Sequence, residues 1–96
     1  MIYEWDPKKA ATNLSKHRVS FEEAASVFLD PFAVTYPDPD HSDDEVREIT
    51  VGQSAKQRVI FLWHTHRKNR VRIIGARKAT PRERKQYEEG IRQENQ

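Results

Sequence analysis

Between residues 32 and 76 four β-rich segments follow one another: Phe32–Tyr36, Glu45–Gly52, Gln57–His64 and Arg70–Ala76. They are rich in β-branched and aromatic residues, which suit a pleated, half-buried surface. Acidic and turn-forming residues fill the first link, Pro37 to Asp44, and the later links are a few polar residues each. Parallel neighbours need a crossover of about a dozen residues or more, so links this short predict antiparallel pairing. Val59-Ile60-Phe61-Leu62-Trp63 is the longest apolar run and predicts a strand in the middle of the sheet. In the second segment Arg47, Ile49 and Val51 fall on one face by alternation.

The flanking segments read as helices. Ile2 to Trp5 is a short extended piece, after which Asp6 fits an N-cap and Pro7 the first helical position. Trp5 and Ala10 are spaced for a hydrophobic staple. This helix runs to Lys16 or His17, with Ala10, Leu14 and His17 on one face. Ser20-Phe21-Glu22-Glu23 has capping-box spacing and starts a second helix, whose apolar stripe is Phe21, Ala24, Ala25 and Phe28. Asp30-Pro31 ends it, since the residue before proline disfavours helix. Thr80-Pro81-Arg82-Glu83 combines an N-cap, an N1 proline and a capping-box glutamate, and Tyr87 and Ile91 continue a packing stripe beyond it. Past Gly90 the polar tail is expected to fray.

The expected architecture is therefore α+β: a small, mostly antiparallel sheet of four to five strands, an N-terminal helical pair and a C-terminal helix. Ninety-six residues predict one domain, spanning 1–96. The chain has no cysteine, so neither a disulfide nor a thiolate metal site helps to hold it. The N-terminus shows no apolar signal segment and no run reaches the length that crosses a bilayer, so the expectation is a cytoplasmic protein with no membrane partner.

Charge is unevenly distributed. Residues 30–48 hold seven carboxylates and one base, Arg47, whereas residues 56–85 hold eleven Lys or Arg and one acid, Glu83. A basic half beside an acidic loop suits a polyanion binder, although a chain one-third charged also needs a charged solvated surface. The basic half ends in Arg72-Ile73-Ile74-Gly75-Ala76-Arg77-Lys78-Ala79-Thr80, a strand with an arginine at each end running into a capped helix. In a plain strand Arg70, Arg72, Ile74 and Ala76 point one way and Val71, Ile73, Gly75 and Arg77 the other. Arg72 and Arg77 therefore share a face only if a bulge intervenes or the chain turns out of the sheet.

These segments together resemble the BrnT family of type II toxin–antitoxin toxins over nearly the whole chain. The resemblance is carried by Glu4-Trp5-Asp6-Pro7-Lys8, Asn13-Leu14-Ser15-Lys16-His17 and Val19-Ser20-Phe21-Glu22-Glu23-Ala24. Val27-Phe28-Leu29-Asp30-Pro31, the strand with Glu45 and Arg47, and the closing Arg72–Thr80 motif with Glu83, Arg84 and Tyr87 complete it. The chain departs from the family's pattern at Arg18, where glycine is common, and at Gly75, where serine is common. It departs again at Val46, which splits a usually adjacent Glu-Arg pair.

The resemblance implies a RelE-like fold and an endoribonuclease that cuts RNA and arrests translation and growth. It also implies a cognate BrnA-like DNA-binding antitoxin that neutralises the toxin, in a heterotetramer or larger complex. That complex would contact operator DNA through the antitoxin.

RNA cleavage without a metal requires an aligned 2′-OH, a base and an acid, and stabilisation of charge on the pentavalent phosphate. Arginine suits the last role because it stays charged and binds phosphate oxygens as a fork. Arg72 is the first candidate for phosphate contact, against a plain solvent-facing strand residue. Arg77 is the second, against an ion pair with Glu83 at the strand–helix junction. Arg47 either joins them or pairs across the sheet near Glu45 and Glu48. His64 is a candidate acid or base by its ordinary pKa, against a structural strand-end histidine. Glu45 and Glu83 are alternative bases, which work only if their pKa is raised. Lys78, Arg82, Arg84, Lys85 and Arg70 read as a nucleic-acid-binding rim, and Tyr36, Trp63 and Tyr87 offer stacking surfaces.

Neither a cofactor nor a bound metal ion is expected. His64 and His66 have same-face strand spacing that suits zinc, but no third ligand follows at a characteristic spacing. Asp38, Asp40 and Asp43 crowd one loop without the pattern of a calcium loop. The alternative to an endoribonuclease is a non-enzymatic module that binds nucleic acid or an antitoxin with the same surface.

Overall fold

The computed structural model of the chain describes residues 1–40 and 46–94. The elements are β1 (Ile2–Glu4), α1 (Pro7–His17), α2 (Phe21–Ser26), a 3-10 turn (Val27–Leu29), β2 (Val34–Pro37), β3 (Arg47–Gln53), β4 (Val59–Arg67), β5 (Arg70–Lys78) and α3 (Pro81–Glu94). The expected α+β order is present. The short opening piece supplies the fifth strand, giving a sheet ordered β1-β5-β4-β3-β2. β4 lies in the middle, as its apolar run requires. β1 runs parallel to β5, and all other pairs are antiparallel.

Local chemistry sets the helix ends. Asp6 Oδ1 accepts from the Lys8 N–H at 2.8 Å, and Pro7 occupies the first turn of α1. Arg18 closes α1 in the left-handed region at φ 61°, donating its N–H to the Leu14 carbonyl. This is the geometry that favours glycine after a helix, and it is one of the positions where the chain departs from the family pattern. Ser20 Oγ accepts from the Glu23 N–H at 3.0 Å. The Glu23 side chain does not complete the box; it accepts from Ser54 and pairs with Arg58 instead. The box at α3 is complete in both directions, with Glu83 N–H donating to Thr80 Oγ1 at 3.2 Å and Glu83 Oε1 accepting from Thr80 N–H at 2.8 Å.

α1, α2 and the 3-10 turn cover one face of the sheet. Val19, Phe21, Ala24 and Val27 from the helical side meet Ile60, Leu62, Ile73 and Ala76 from the sheet, with Trp5, Ala10, Phe28 and Ala33 packed around them. Burying Phe21 completely contributes about 1.5–3 kcal/mol relative to exposure. Gly52 lets β3 approach this layer: an added Cβ would stand 2.8 Å from Ala33 Cβ and 2.9 Å from Val27 Cγ1.

One helix face differs from expectation. Leu14 is 49% exposed, while Asn13 is buried. β1 stops at Glu4, paired with Arg72, so Ala76 further along β5 has no strand on that side. Asn13 fills the gap. Its Nδ2 donates to the carbonyls of Val19 and Ala76, each at 2.9 Å, and its Oδ1 accepts from the Ala76 N–H at 3.1 Å. The side chain acts as a short substitute for a strand, and that need turns α1 inward on Asn13 rather than Leu14.

Candidate nucleic-acid interface

The face of the sheet opposite α1 and α2 is built by register. Arg77 pairs with Phe61, Ala76 with Leu62 and Gly75 with Trp63, but the next pair is His64 with Ile73. Ile74 has no partner, so β5 carries a bulge there. An extra residue restores the parity that plain alternation breaks. Arg72 pairs with Thr65 and Arg77 with Phe61, two positions on the same side of β4. Both arginines therefore lie on the face away from the helical pair.

Arg47 joins them. It pairs with Thr65 across β3 and β4, so Arg47, Thr65 and Arg72 form one rung across three strands. The next rung toward Arg77 holds Tyr36, Ile49, Trp63 and Gly75, and the one after holds Val34, Val51, Phe61 and Arg77. On the other side of the arginine rung, Arg67 pairs with Arg70. With strands spaced about 4.8 Å and residues about 3.3 Å along a strand, Arg47 and Arg72 start about 10 Å apart. Arg77 lies about 13 Å further along. The surface thus runs from a double rung of arginines, over an aromatic rung, to a third arginine position.

The arginines differ in how firmly they are held. Arg77 makes a two-pronged pair with Glu83, at 2.8 and 3.0 Å, and stacks over Phe61 with its guanidinium carbon 4.7 Å from the ring centroid. Its distance to the Trp63 centroid is 5.6 Å. The Arg77 hydrogen bonds, reinforced by the Thr80 N–H and opposed by burial, pull the Glu83 carboxyl down to about 2. Glu83 is thus firmly ionised and a weak proton acceptor. Arg72 touches Glu4 at 3.3 Å, near the limit of a useful hydrogen bond. Arg47 has no ion-pair partner among the described residues. Thr65 is 1% exposed, and its hydroxyl has no hydrogen-bond partner among the described residues. Tyr36, 38% exposed, has its hydroxyl pKa raised by burial and by the Glu83 charge, against the opposing effect of Arg77.

His64 lies on the other face. Its neighbours are Phe28, edge-on at 5.1 Å, and Thr50, whose Oγ1 is 2.7 Å from His64 Nε2. Burial first, and His66 second, push its pKa down to about 4, so the ring is neutral near pH 7. The structure does not bring His64 together with Arg47, Arg72 and Arg77. Glu45 lies outside the described residues. Arg70 stands at the start of β5 on the arginine face, and Lys78 at its exposed end. Arg82, Arg84 and Lys85 are exposed in the first turns of α3, where Arg84 reaches Glu88 at 3.9 Å. The Tyr87 hydroxyl donates to Asp30, which places that ring at the end of the sheet away from the aromatic rung.

Two residues escaped the sequence reading. Thr65, between the arginines, was detectable by alternation, since it must face away from His64. Glu48 pairs with His64 across β3 and β4, and its Oε1 lies 3.0 Å from His66 Nε2. It is a cross-strand relation that spacing along the chain does not reveal.

The sheet, its helical cover and the capped C-terminal helix form a RelE-like α+β fold. The family model for the ribonuclease toxin BrnT of type II toxin–antitoxin systems matches residues 5–83. The chain belongs to the BrnT family, and its function in the broad sense is that of a ribonuclease toxin. Its fold is similar to the crystal structure of the Brucella abortus ribonuclease toxin BrnT, with a TM-score of 0.63 at 22% identity. The match covers 83% of this chain and 99% of the Brucella one. No curated protein sequence matches the chain. Among the described residues no helix is long and apolar enough to cross a membrane.

Proposed function

We propose that the chain is an endoribonuclease toxin that binds RNA across the Arg47–Thr65–Arg72 rung and cleaves it there without a metal ion. The observation that carries this reading is the rung itself: two arginines from different strands flank a buried hydroxyl that, among the described residues, has no hydrogen-bond partner, and among those residues neither arginine is firmly neutralised. Arg77 and the aromatic rung extend the same face, so a base can stack on Trp63 or Tyr36 while its phosphates meet the arginines. Arg70, Lys78, Arg82, Arg84 and Lys85 extend the positive field around it.

In the reaction the ribose 2′-oxygen attacks the adjacent phosphorus, the P–O5′ bond breaks, and a 2′,3′-cyclic phosphate and a 5′-hydroxyl result. The 2′ proton is lost and the leaving oxygen gains one. Arg47 and Arg72 stabilise the extra negative charge on the phosphoryl oxygens as the pentavalent state forms. Arg77, fixed by Glu83 and Phe61, orients a neighbouring phosphate. Glu83 positions Arg77, and its low pKa argues against a role as base. His64 has no part in this proton transfer, because it is buried behind the sheet.

Cleavage of cellular RNA would arrest translation and growth. A cognate BrnA-like DNA-binding antitoxin would neutralise the toxin, in a heterotetramer or larger assembly that reaches operator DNA through the antitoxin. The test is incubation of purified protein with RNA at fixed salt, beside Arg47→Ala and Arg72→Ala variants checked for folding by circular dichroism. Products that disappear in the folded variants are expected. Binding that falls steeply with salt and yields no products from the unsubstituted chain would leave the non-enzymatic module as the better reading.

A further inference from the structure

We propose that Glu48, His64 and His66 form a binding site for a zinc-class divalent transition-metal ion, on the helix-covered face and separate from the arginine surface. One carboxylate oxygen and one ring nitrogen from each histidine lie within 4.8 Å of one another. Two imidazoles and a carboxylate suit zinc, nickel or cobalt, whereas magnesium and calcium favour all-oxygen sets.

The histidines are two apart in β4 and so share a face, and Glu48 stands directly opposite His64 on β3. The third ligand that is missing along the sequence is supplied by the neighbouring strand. His66 Nε2 and Glu48 Oε1 are already 3.0 Å apart, the separation expected of two ligands on one small cation. A metal ion between them would take a lone pair from each. Glu48 and His66 have 28% and 56% of their side chains exposed, so they are free to close on an ion and leave a position for water.

His64 is the independent sign of a ligand. It is 1% exposed, and its Nδ1 has no hydrogen-bond partner among the described residues. Thr50 Oγ1 lies 2.7 Å from Nε2 and also 2.7 Å from Thr35 Oγ1. With Nε2–H donating to Thr50 and the Thr50 hydroxyl donating to Thr35, Nδ1 carries a lone pair. The opposite tautomer would bury an unpaired N–H, which folded proteins avoid. A ring held by a hydrogen bond at one nitrogen, with a lone pair at the other, is the usual state of a metal-ligating histidine.

The ion would tie β3 to β4, and binding to the folded chain alone would raise stability. The experiment titrates metal-free, tag-free full-length chain with zinc chloride and, for its absorption bands, cobalt chloride. Glu48→Gln, His66→Ala and the control His17→Ala are titrated beside it. We expect one ion per chain, a higher Tm with zinc than with magnesium, and visible cobalt bands. Affinity should be about tenfold or more weaker in Glu48→Gln and His66→Ala and unchanged in His17→Ala. Equal affinity in all variants, or no saturable binding by the unsubstituted chain at micromolar zinc, would overturn the site. RNA cleavage is read separately: loss of cleavage in arginine variants with intact zinc binding keeps the two readings distinct.

Discussion

Arg72 and Arg77 share one face of the sheet although an odd number of positions separates them, because Ile74 is the unpaired residue of a bulge between them. The relation makes the arginines of the family's closing motif part of one surface, and Arg47 enters it from β3. It also separates what each arginine does. Arg77 is tied to Glu83 and packed on Phe61, while Arg47 has no ion-pair partner among the described residues.

Replacing the two should therefore have different consequences. Arg47→Ala is expected to leave stability within about 0.5 kcal/mol, as for a surface change away from structural contacts, while weakening RNA binding and cleavage. Arg77→Ala should lower both, since it removes a two-pronged ion pair and a cation–π contact. Urea denaturation and RNA cleavage measured on the same two variants check this. A large stability loss in Arg47→Ala, or unchanged activity in it, contradicts the assignment.

Acid should act on the same junction. The Glu83 carboxyl is lowered from 4.5 to about 2, chiefly by the Arg77 hydrogen bonds. Its folded pKa lies below its unfolded one, so its contribution is fully present above about pH 4.5 and is lost as pH falls toward 2. Thermal melts across that window should fall more steeply for the unsubstituted chain than for Glu83→Gln. Parallel curves would mean that the pair does not couple to folding.

Much of this fold was legible because its signals are local. Asp6, Ser20 and Thr80 cap the helices they precede, since a cap needs only a side-chain oxygen near the next few N–H groups. The placement of β4 followed from one apolar run, and the shared face of Arg47, Ile49 and Val51 from alternation. The unread parts depend on partners distant in sequence. The bulge at Ile74 exists only relative to β4, so no property of the Arg72–Arg77 stretch alone could reveal it. Asn13 is buried because β1 ends early, and Glu48 meets His64 only through strand register.

Asn13 gives a direct measure of that distant dependence. Asn13→Ala leaves the Val19 carbonyl and both Ala76 backbone groups without their partner. The expected loss is about 2–4 kcal/mol by chemical denaturation, the range for several buried hydrogen bonds broken together. Asn13→Asp keeps the acceptor but replaces the donor with an oxygen facing two carbonyls. It should be less stable than the parent by a margin that shrinks on acidification, when the carboxyl can donate. An alanine variant as stable as the parent would show that Ala76 and Val19 find other partners.

The end of α1 predicts the opposite sign. Arg18 sits at φ 61° in the left-handed region, where a side chain costs about 1–2 kcal/mol that glycine avoids. Glycine gives back part of this through the greater freedom of the unfolded chain. The Arg18 group that receives a bond is its carbonyl, from Arg58 at 2.9 Å, and glycine retains it. Arg18→Gly is therefore expected to stabilise the chain by about 0.5–1 kcal/mol, a rise in Tm of about 3–6 °C at this size. Arg18→Ala, which keeps the strain and removes the charge, should show no such gain. Equal gains in both variants would assign the effect to the lost charge, and no gain in Arg18→Gly would mean that this turn carries no strain worth relieving.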